Sequence, residues 1–202
     1  MKTYPTILGP SKAPKKPCIA FYKYDGSNLR WEWQRKRGWH KFGTRRRLFD
    51  HTDEQFKDAI PLFFETQADQ ILAVVKKKYR DAQKVIVFTE YVGPNSFAGQ
   101  HEPGDEMKLV LFDVNIHTKG LVGPREFLKN FGRLENVAEV VYEGNLNEQF
   151  IDDIRHSRYP VNEGVVCKGG SGHNLWMRKI KTLKYYKRLK ESFGEKWKEY
   201  WE

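Results

Sequence analysis

The sequence predicts an α+β fold of mostly antiparallel sheets with helices packed outside them. Two observations predict it. Short apolar runs suited to strands follow one another across tight turns, in 18–24, 28–34 and 39–42 and again in 163–168 and 175–181 around Gly169-Gly170-Ser171-Gly172. Helical patterns fall in separate blocks between these runs, and such a mixture belongs to α+β chains.

The elements follow in order. Met1 to Lys16 is rich in Pro and Lys and is expected to be extended. Cys18 to Tyr24 reads as a buried strand. Asn28 to Gln34 alternates, with Leu29, Trp31 and Trp33 on one face and Arg30 and Glu32 on the other. Lys36-Arg37-Gly38 is a turn, and Trp39 to Phe42 returns as a short strand. Thr52-Asp53-Glu54-Gln55 has the form of a capping box, with Thr52 as N-cap and Gln55 reaching back. Phe56, Ile60 and Phe63 then follow at helical spacing, and Pro61 is expected to interrupt or kink that helix. A second helix runs from about Thr66 to Tyr79 and carries Ile71, Leu72, Val74 and Val75. Strands resume at Lys84 to Tyr91 and, past a Gly/Pro-rich loop from Gly93 to Asp105, at Met107 to Ile116. Pro124 to Phe131 is a short helix with proline in its first turn. Val137 to Tyr142 is a strand and Asn147 to His156 a helix. A basic aromatic helix from Leu183 to Trp201 closes the chain, with Leu183, Tyr186, Leu189, Phe193, Trp197 and Tyr200 along one stripe.

At 202 residues the chain suits one large domain with a sizeable core. Its net charge of +10, from 36 Lys+Arg against 26 Asp+Glu, favours a polyanionic partner, with nucleic acid ahead of membrane. A basic soluble surface without a partner would show the same excess. Cys18 and Cys167 lie in apolar runs without metal-ligand spacing or a disulfide framework. No apolar stretch approaches membrane-spanning length, and the N-terminus has no signal-peptide core. A reducing, cytoplasmic setting and a monomer are the expectations.

The chemistry concentrates around Lys23-Tyr24-Asp25-Gly26. Lys23 ends an apolar run just before a tight Asp-Gly turn, where burial and nearby cations would lower its pKa and make it a nucleophile. Taken alone, that tetrapeptide favours a structural lysine at a strand end beside an Asp-Gly turn. Further along, Glu90 sits inside an apolar strand, Phe112 stands beside Asp113 in another, and Glu163 opens a third. Lys179 and Lys181 share one strand face. Carboxylates within strands are unwelcome unless paired, hydrogen-bonded or functional, so the set points to a shared polar cleft.

In these segments the chain resembles the nucleotidyltransferase domain of covalent ligases and capping enzymes, and most of all the RNA ligase 2 family. The resemblance runs from Lys23 to Lys181 through Lys23-Tyr24-Asp25-Gly26-Ser27-Asn28, Phe42-Gly43-Thr44-Arg45, the strands of Glu90 and Phe112, Glu163-Gly164-Val165-Val166-Cys167-Lys168 and Trp176-Met177-Arg178-Lys179-Ile180-Lys181. It implies an ATP-grasp-like nucleotidyltransferase fold. It implies Lys23 as the nucleophile that carries AMP from ATP, with Tyr22 and Asn28 beside the nucleotide. Asn28 stands where many RNA ligases have asparagine and DNA ligases or capping enzymes usually have arginine. Arg45 would contact phosphate, with Arg46 and Arg47 leaving the register open; Glu90 would bind the ribose and Phe112 stack on adenine. Lys179 and Lys181 would contact the phosphates, and Glu163, with Asp25, would hold Mg²⁺ or Mn²⁺.

The implied reaction moves AMP from ATP to Lys23, then to a 5′-phosphate, and seals that end to a 3′-OH. RNA is the favoured strand. A minimal DNA ligase acting on DNA or mixed nicks is the alternative, and a non-catalytic nucleic-acid-binding module that kept the fold is the alternative of another class. Larger ligases continue into an OB-fold or a helical domain. Here the expectation is an adenylation domain over 1–182, a closing helix over 183–202 packed on it, and no second domain. Two basic clusters are the expected nucleic-acid contacts. One joins Arg35, Lys36 and Arg37 with Arg46 and Arg47 as a patch near Trp31, Trp33 and Trp39, and the other is Lys187 and Arg188.

Overall fold

Two antiparallel sheets meet at the turn after Lys23. The computed structural model describes residues 1–11, 15–93 and 104–199. Most of the predicted 93–105 loop, part of the predicted extended N-terminal segment, and Tyr200 and Trp201 of the predicted closing helix lie outside the described residues.

In chain order the strands are β1 (Pro17–Lys23), β2 (Ser27–Gln34), β3 (Gly38–Thr44), β4 (Leu48–Phe49), β5 (Lys84–Val92), β6 (Lys108–Ile116), β7 (Gly120–Leu121), β8 (Val140–Asn145), β9 (Gly164–Gly169) and β10 (Trp176–Lys181). The helices are α1 (Ala59–Phe63), α2 (Asp69–Lys78), α3 (Pro124–Phe131), α4 (Glu148–Arg155) and α5 (Leu183–Phe193). One sheet has the order β10-β9-β1-β8 and the other β4-β3-β2-β5-β6-β7. The strand pairings within both sheets are antiparallel. The α+β expectation therefore holds.

Alternation along β1 feeds two cores. Ile19 and Phe21 join the large core shared with β2, β5, β6 and the first helices, while Cys18 and Ala20 join a smaller one closed by Phe150 and Ile154 of α4. On β2, Leu29, Trp31 and Trp33 face the helical layer, and Trp31 stacks on Phe63 at 4.1 Å. Arg30 and Glu32 on the other face are buried as well. The Arg30 Nε donates to the Thr44 carbonyl and its guanidinium to the Met1 carbonyl, so the N-terminal segment covers that face.

The first helical region departs from expectation. Thr52 does not cap it, because both its backbone N–H and its hydroxyl donate to Asp50. Asp53 instead accepts from the backbone of Gln55 and Phe56, closing a turn ahead of α1. Pro61 does not break the helix: it lies in the first turn of α1, where a missing N–H costs least. A single π-helical turn over 64–68 then joins α1 to α2.

Two other segments shift. The strand expected at 137–142 runs over 140–145, and Val137 makes an isolated parallel bridge to Leu111 instead. The closing helix ends at Phe193, because Gly194 takes φ +51°, and a 3₁₀ turn follows over 194–199. Its buried face is Tyr185 and Leu189, so the predicted stripe holds only in part: Leu189 belongs to it, but Leu183 is exposed and Tyr186 only half-buried. The helix is turned so that Tyr185 reaches the sheet junction. Among the described residues, no helix is long and apolar enough to cross a membrane.

Candidate active site

Three strand ends bring the central charges together. Gly164, at the start of β9, pairs with Lys23 of β1 on one side and Lys181 of β10 on the other. Glu163 precedes it and so stands between two lysines. Gly164 has φ +150°, and a Cβ there would lie 1.9 Å from the Ile180 carbonyl oxygen, so the close approach requires glycine. Both oxygens of Glu163 lie 2.8 Å from the Lys23 ammonium, and one lies 3.2 Å from Lys181.

The Asp25-Gly26 turn then passes the chain to the second sheet. A Cβ on Gly26 would lie 2.4 Å from the Tyr91 carbonyl oxygen, which shows how tightly the turn meets β5. In that register Asn28 stands opposite Glu90. Asp25 is buried and accepts a hydrogen bond from the Tyr185 hydroxyl at 2.8 Å, so α5 is tied directly to the turn.

Eight of the predicted residues line one cavity of ≈ 230 Å³. Tyr22, Lys23, Asn28 and Glu90 form one part of it, and Arg45, Phe112, Lys179 and Lys181 another. Glu163 and Asp25 line the adjoining cavity, which Tyr22 and Lys23 share. Arg45 lines this cavity and donates to the Thr6 hydroxyl at 2.6 Å. Arg47 is instead paired with Asp53 and lies over the Phe56 ring, which removes it from the cavity.

The charge states follow from this packing. Burial pulls the Lys23 ammonium down, but Glu163, Glu90 and Asp25 outweigh it and the net direction is up. The sequence reading, which expected a lowered value, is corrected: the carboxylates that face Lys23 outweigh its burial. Burial, with Lys23 beside it, brings Lys181 below its ordinary range. Burial and the nearby Glu163 and Asp25 push Glu90 up to about 8.

That surplus of carboxylate charge is a setting that an added cation relieves. Asp25, Glu90 and Glu163 offer oxygen donors only, which suits Mg²⁺ or Mn²⁺. Among the described residues no group of three or more His, Cys, Asp or Glu is assembled to hold a metal. The donors therefore fit an ion that keeps several of its waters.

Sequence reasoning missed Tyr4 and Lys168 in the wall of the cavity, and the partner that holds them both. Lys168 of β9 and Asp113 of β6 form a buried ion pair at 2.7 Å across the two sheets. The Lys168 ammonium also donates to the Phe112 carbonyl at 2.7 Å. Tyr4 donates its hydroxyl to Asp113 and packs edge-on to Phe112 at 5.1 Å. A lysine inside an apolar strand was the available signal for Lys168. Nothing local marks Tyr4, which arrives through tertiary packing.

The basic patches differ from expectation. Arg35, Lys36 and Arg37 are exposed at one end of β3, whereas Arg45, Arg46 and Arg47 follow its other end. Seven strand residues separate the clusters by about 20 Å, so they do not form one patch. Trp31 and Trp33 are buried under the helical layer and offer no stacking face. Lys187 is exposed on α5, but Arg188 is half-buried and turned towards the Tyr185 ring.

No protein-family model matches the chain, and no curated protein matches it at a significant level. Among solved structures it is similar to a provisionally named ATP-dependent DNA ligase from Aquifex aeolicus, at 15% identity and TM-score 0.67, over 98% of this chain and 56% of that one. It is also similar to a variant of Naegleria gruberi RNA ligase with ATP and Mn, at 15% identity and TM-score 0.67, over 95% of this chain and 59% of that one. Another variant of that enzyme, with AMP and Mn, matches at TM-score 0.65 and 15% identity over 92% and 57%. The chain thus spans somewhat more than half the length of these proteins and has a ligase nucleotidyltransferase-like fold.

Proposed function

We propose that this chain is the adenylation domain of an ATP-dependent polynucleotide ligase, with Lys23 as the residue that becomes covalently linked to AMP. The observation that carries the reading is the placement of Lys23 against both oxygens of Glu163, at the edge of a cavity that also gathers Arg45, Glu90, Phe112, Lys179 and Lys181. The fold shared with RNA and DNA ligases supports it.

Each side chain then has a task. Phe112 offers a π-face to adenine, and Glu90, largely protonated at neutral pH, offers both a donor and an acceptor to the ribose. Lys179, Lys181 and Arg45 stand where they can neutralise phosphate oxygens. The Lys23 amine, once it has shed its proton, attacks the α-phosphorus. A P–N bond forms as the P–O bond to pyrophosphate breaks. A strand 5′-phosphate oxygen next attacks the same phosphorus and releases the lysine. The 3′-OH of a second strand finally attacks the activated 5′-phosphate, and AMP leaves. Glu163, with Asp25, would hold Mg²⁺ or Mn²⁺, which supplies charge neutralisation for the phosphates.

The resemblance to RNA ligases at Asn28 is what favours RNA as the strand sealed, with DNA or mixed nicks as the alternative. The buried free thiols of Cys18 and Cys167 suit the cytoplasmic setting that belongs to this proposal, which takes the chain as a monomer. The test is incubation with α-labelled ATP and Mg²⁺ or Mn²⁺. Label should survive denaturation in the unsubstituted protein and vanish in Lys23→Ala. Absence of label under every condition, with nucleic-acid binding retained, would favour the non-catalytic module.

A further inference from the structure

Arg188 of α5 is placed unlike the other cations of that helix. Lys184, Lys187 and Lys190 are exposed. In Arg188 all three guanidinium nitrogens are enclosed and have no hydrogen-bond partner among the described residues. The group lies 5.4 Å from the centre of the Tyr185 ring, and the Lys181 ammonium lies 4.9 Å from the same ring. The Tyr185 hydroxyl in turn holds Asp25. Burial pulls the guanidinium below its ordinary range, with Asp25, Tyr185 and Glu163 acting back on it. Arginine stays charged in proteins, so an enclosed fork of five donors without an acceptor is costly unless an anion completes it. Planar bidentate recognition of phosphate is the task that fork suits best.

We propose that Arg188 binds a phosphate group of the substrate at the Lys23 centre, as an additional cation beside Lys181. This rests on the ligase reading above. The same chemistry has two sources, the tail of the nucleoside triphosphate and the 5′-phosphate of the strand.

Equilibrium binding tests this without turnover. The probes are inorganic pyrophosphate and a short oligonucleotide carrying either a 5′-phosphate or a 5′-hydroxyl. Arg188→Gln should weaken binding of pyrophosphate, or of the phosphorylated strand relative to the hydroxyl one, by about ten-fold or more. Arg188→Lys should recover part of the loss, and Lys187→Gln should leave the phosphate-specific difference intact. Loss with pyrophosphate alone assigns the triphosphate tail; loss with the phosphorylated strand alone assigns the strand end. Unchanged affinity of Arg188→Gln for both probes overturns the proposal, as does failure of the unsubstituted protein to bind either. If Arg188→Gln does not fold, unchanged affinity in Arg188→Lys overturns it. Arg188-dependent binding without any label on Lys23 would overturn the ligase reading and leave the phosphate site standing.

Discussion

Lys23 is held as an ammonium by its neighbours, and that sets what its chemistry must overcome. Of the groups that favour its charge, Glu163 acts most strongly. Glu163→Gln should therefore lower the Lys23 pKa, and each unit of lowering multiplies the neutral fraction roughly ten-fold. Reactivity of Lys23 towards an amine-modifying reagent at neutral pH should rise in that variant, while ATP-dependent labelling falls because the site loses a carboxylate. Mass spectrometry of the modified peptide reads the first effect, and unchanged reactivity would remove Glu163 as the group that sets the charge state. Glu90 gives a second test. Its folded value is about 8 against an ordinary 4.5, so folding favours its protonated form. The stability this contributes is fully present below about 4.5 and is lost as pH rises through about 8. Glu90→Gln should flatten that part of the stability–pH profile, measured by chemical denaturation from pH 4 to about 9.

Helix against sheet is the packing that positions these residues. Phe63 of α1 lies flat on Trp31 of β2 and meets the edge of Trp39 at 4.9 Å. Phe63→Ala should cost about 3–5 kcal/mol in denaturant unfolding, with adenylate formation per folded molecule nearly unchanged. The strands were legible in the sequence because their signals are local: the alternation of β2 and the apolar run of β1 need no partner to be read. The six segments of the candidate site were read differently, through their ordered resemblance to a ligase family, because each taken alone also fits a structural role. What could not be read depended on competition or on tertiary contact. Asp50 and Asp53 lie close enough to outcompete Thr52 for the backbone donors, which undid the predicted capping box. The face of α5 was set by the hydroxyl of Tyr185 finding Asp25, 160 residues away in sequence, and no periodicity encodes that. Trp31 and Trp33 read as a stacking platform only while the helix that covers them is out of view.

At the scale of the whole molecule, a buried ion pair spans the two sheets at the wall of the cavity. Lys168 comes from β9 of one sheet and Asp113 from β6 of the other, and both are buried. Removing one member of such a pair leaves an uncompensated charge, so Lys168→Met should cost about 3–5 kcal/mol. Replacing both members with apolar groups is often nearly neutral, so adding Asp113→Leu to Lys168→Met should restore most of the melting temperature. Binding of ATP should not return with it. The Lys168 ammonium donates to the Phe112 carbonyl, and the Tyr4 hydroxyl that packs beside Phe112 is held by Asp113. The double variant removes both supports from the proposed adenine-stacking ring while leaving the sheets joined by packing. Recovered stability with weakened ATP affinity, read by denaturation and by calorimetry on the same sample, would show that the cross-sheet pair serves the cavity it lines as well as the joint between the sheets. Recovery of both together would reduce the pair to a clamp between the sheets.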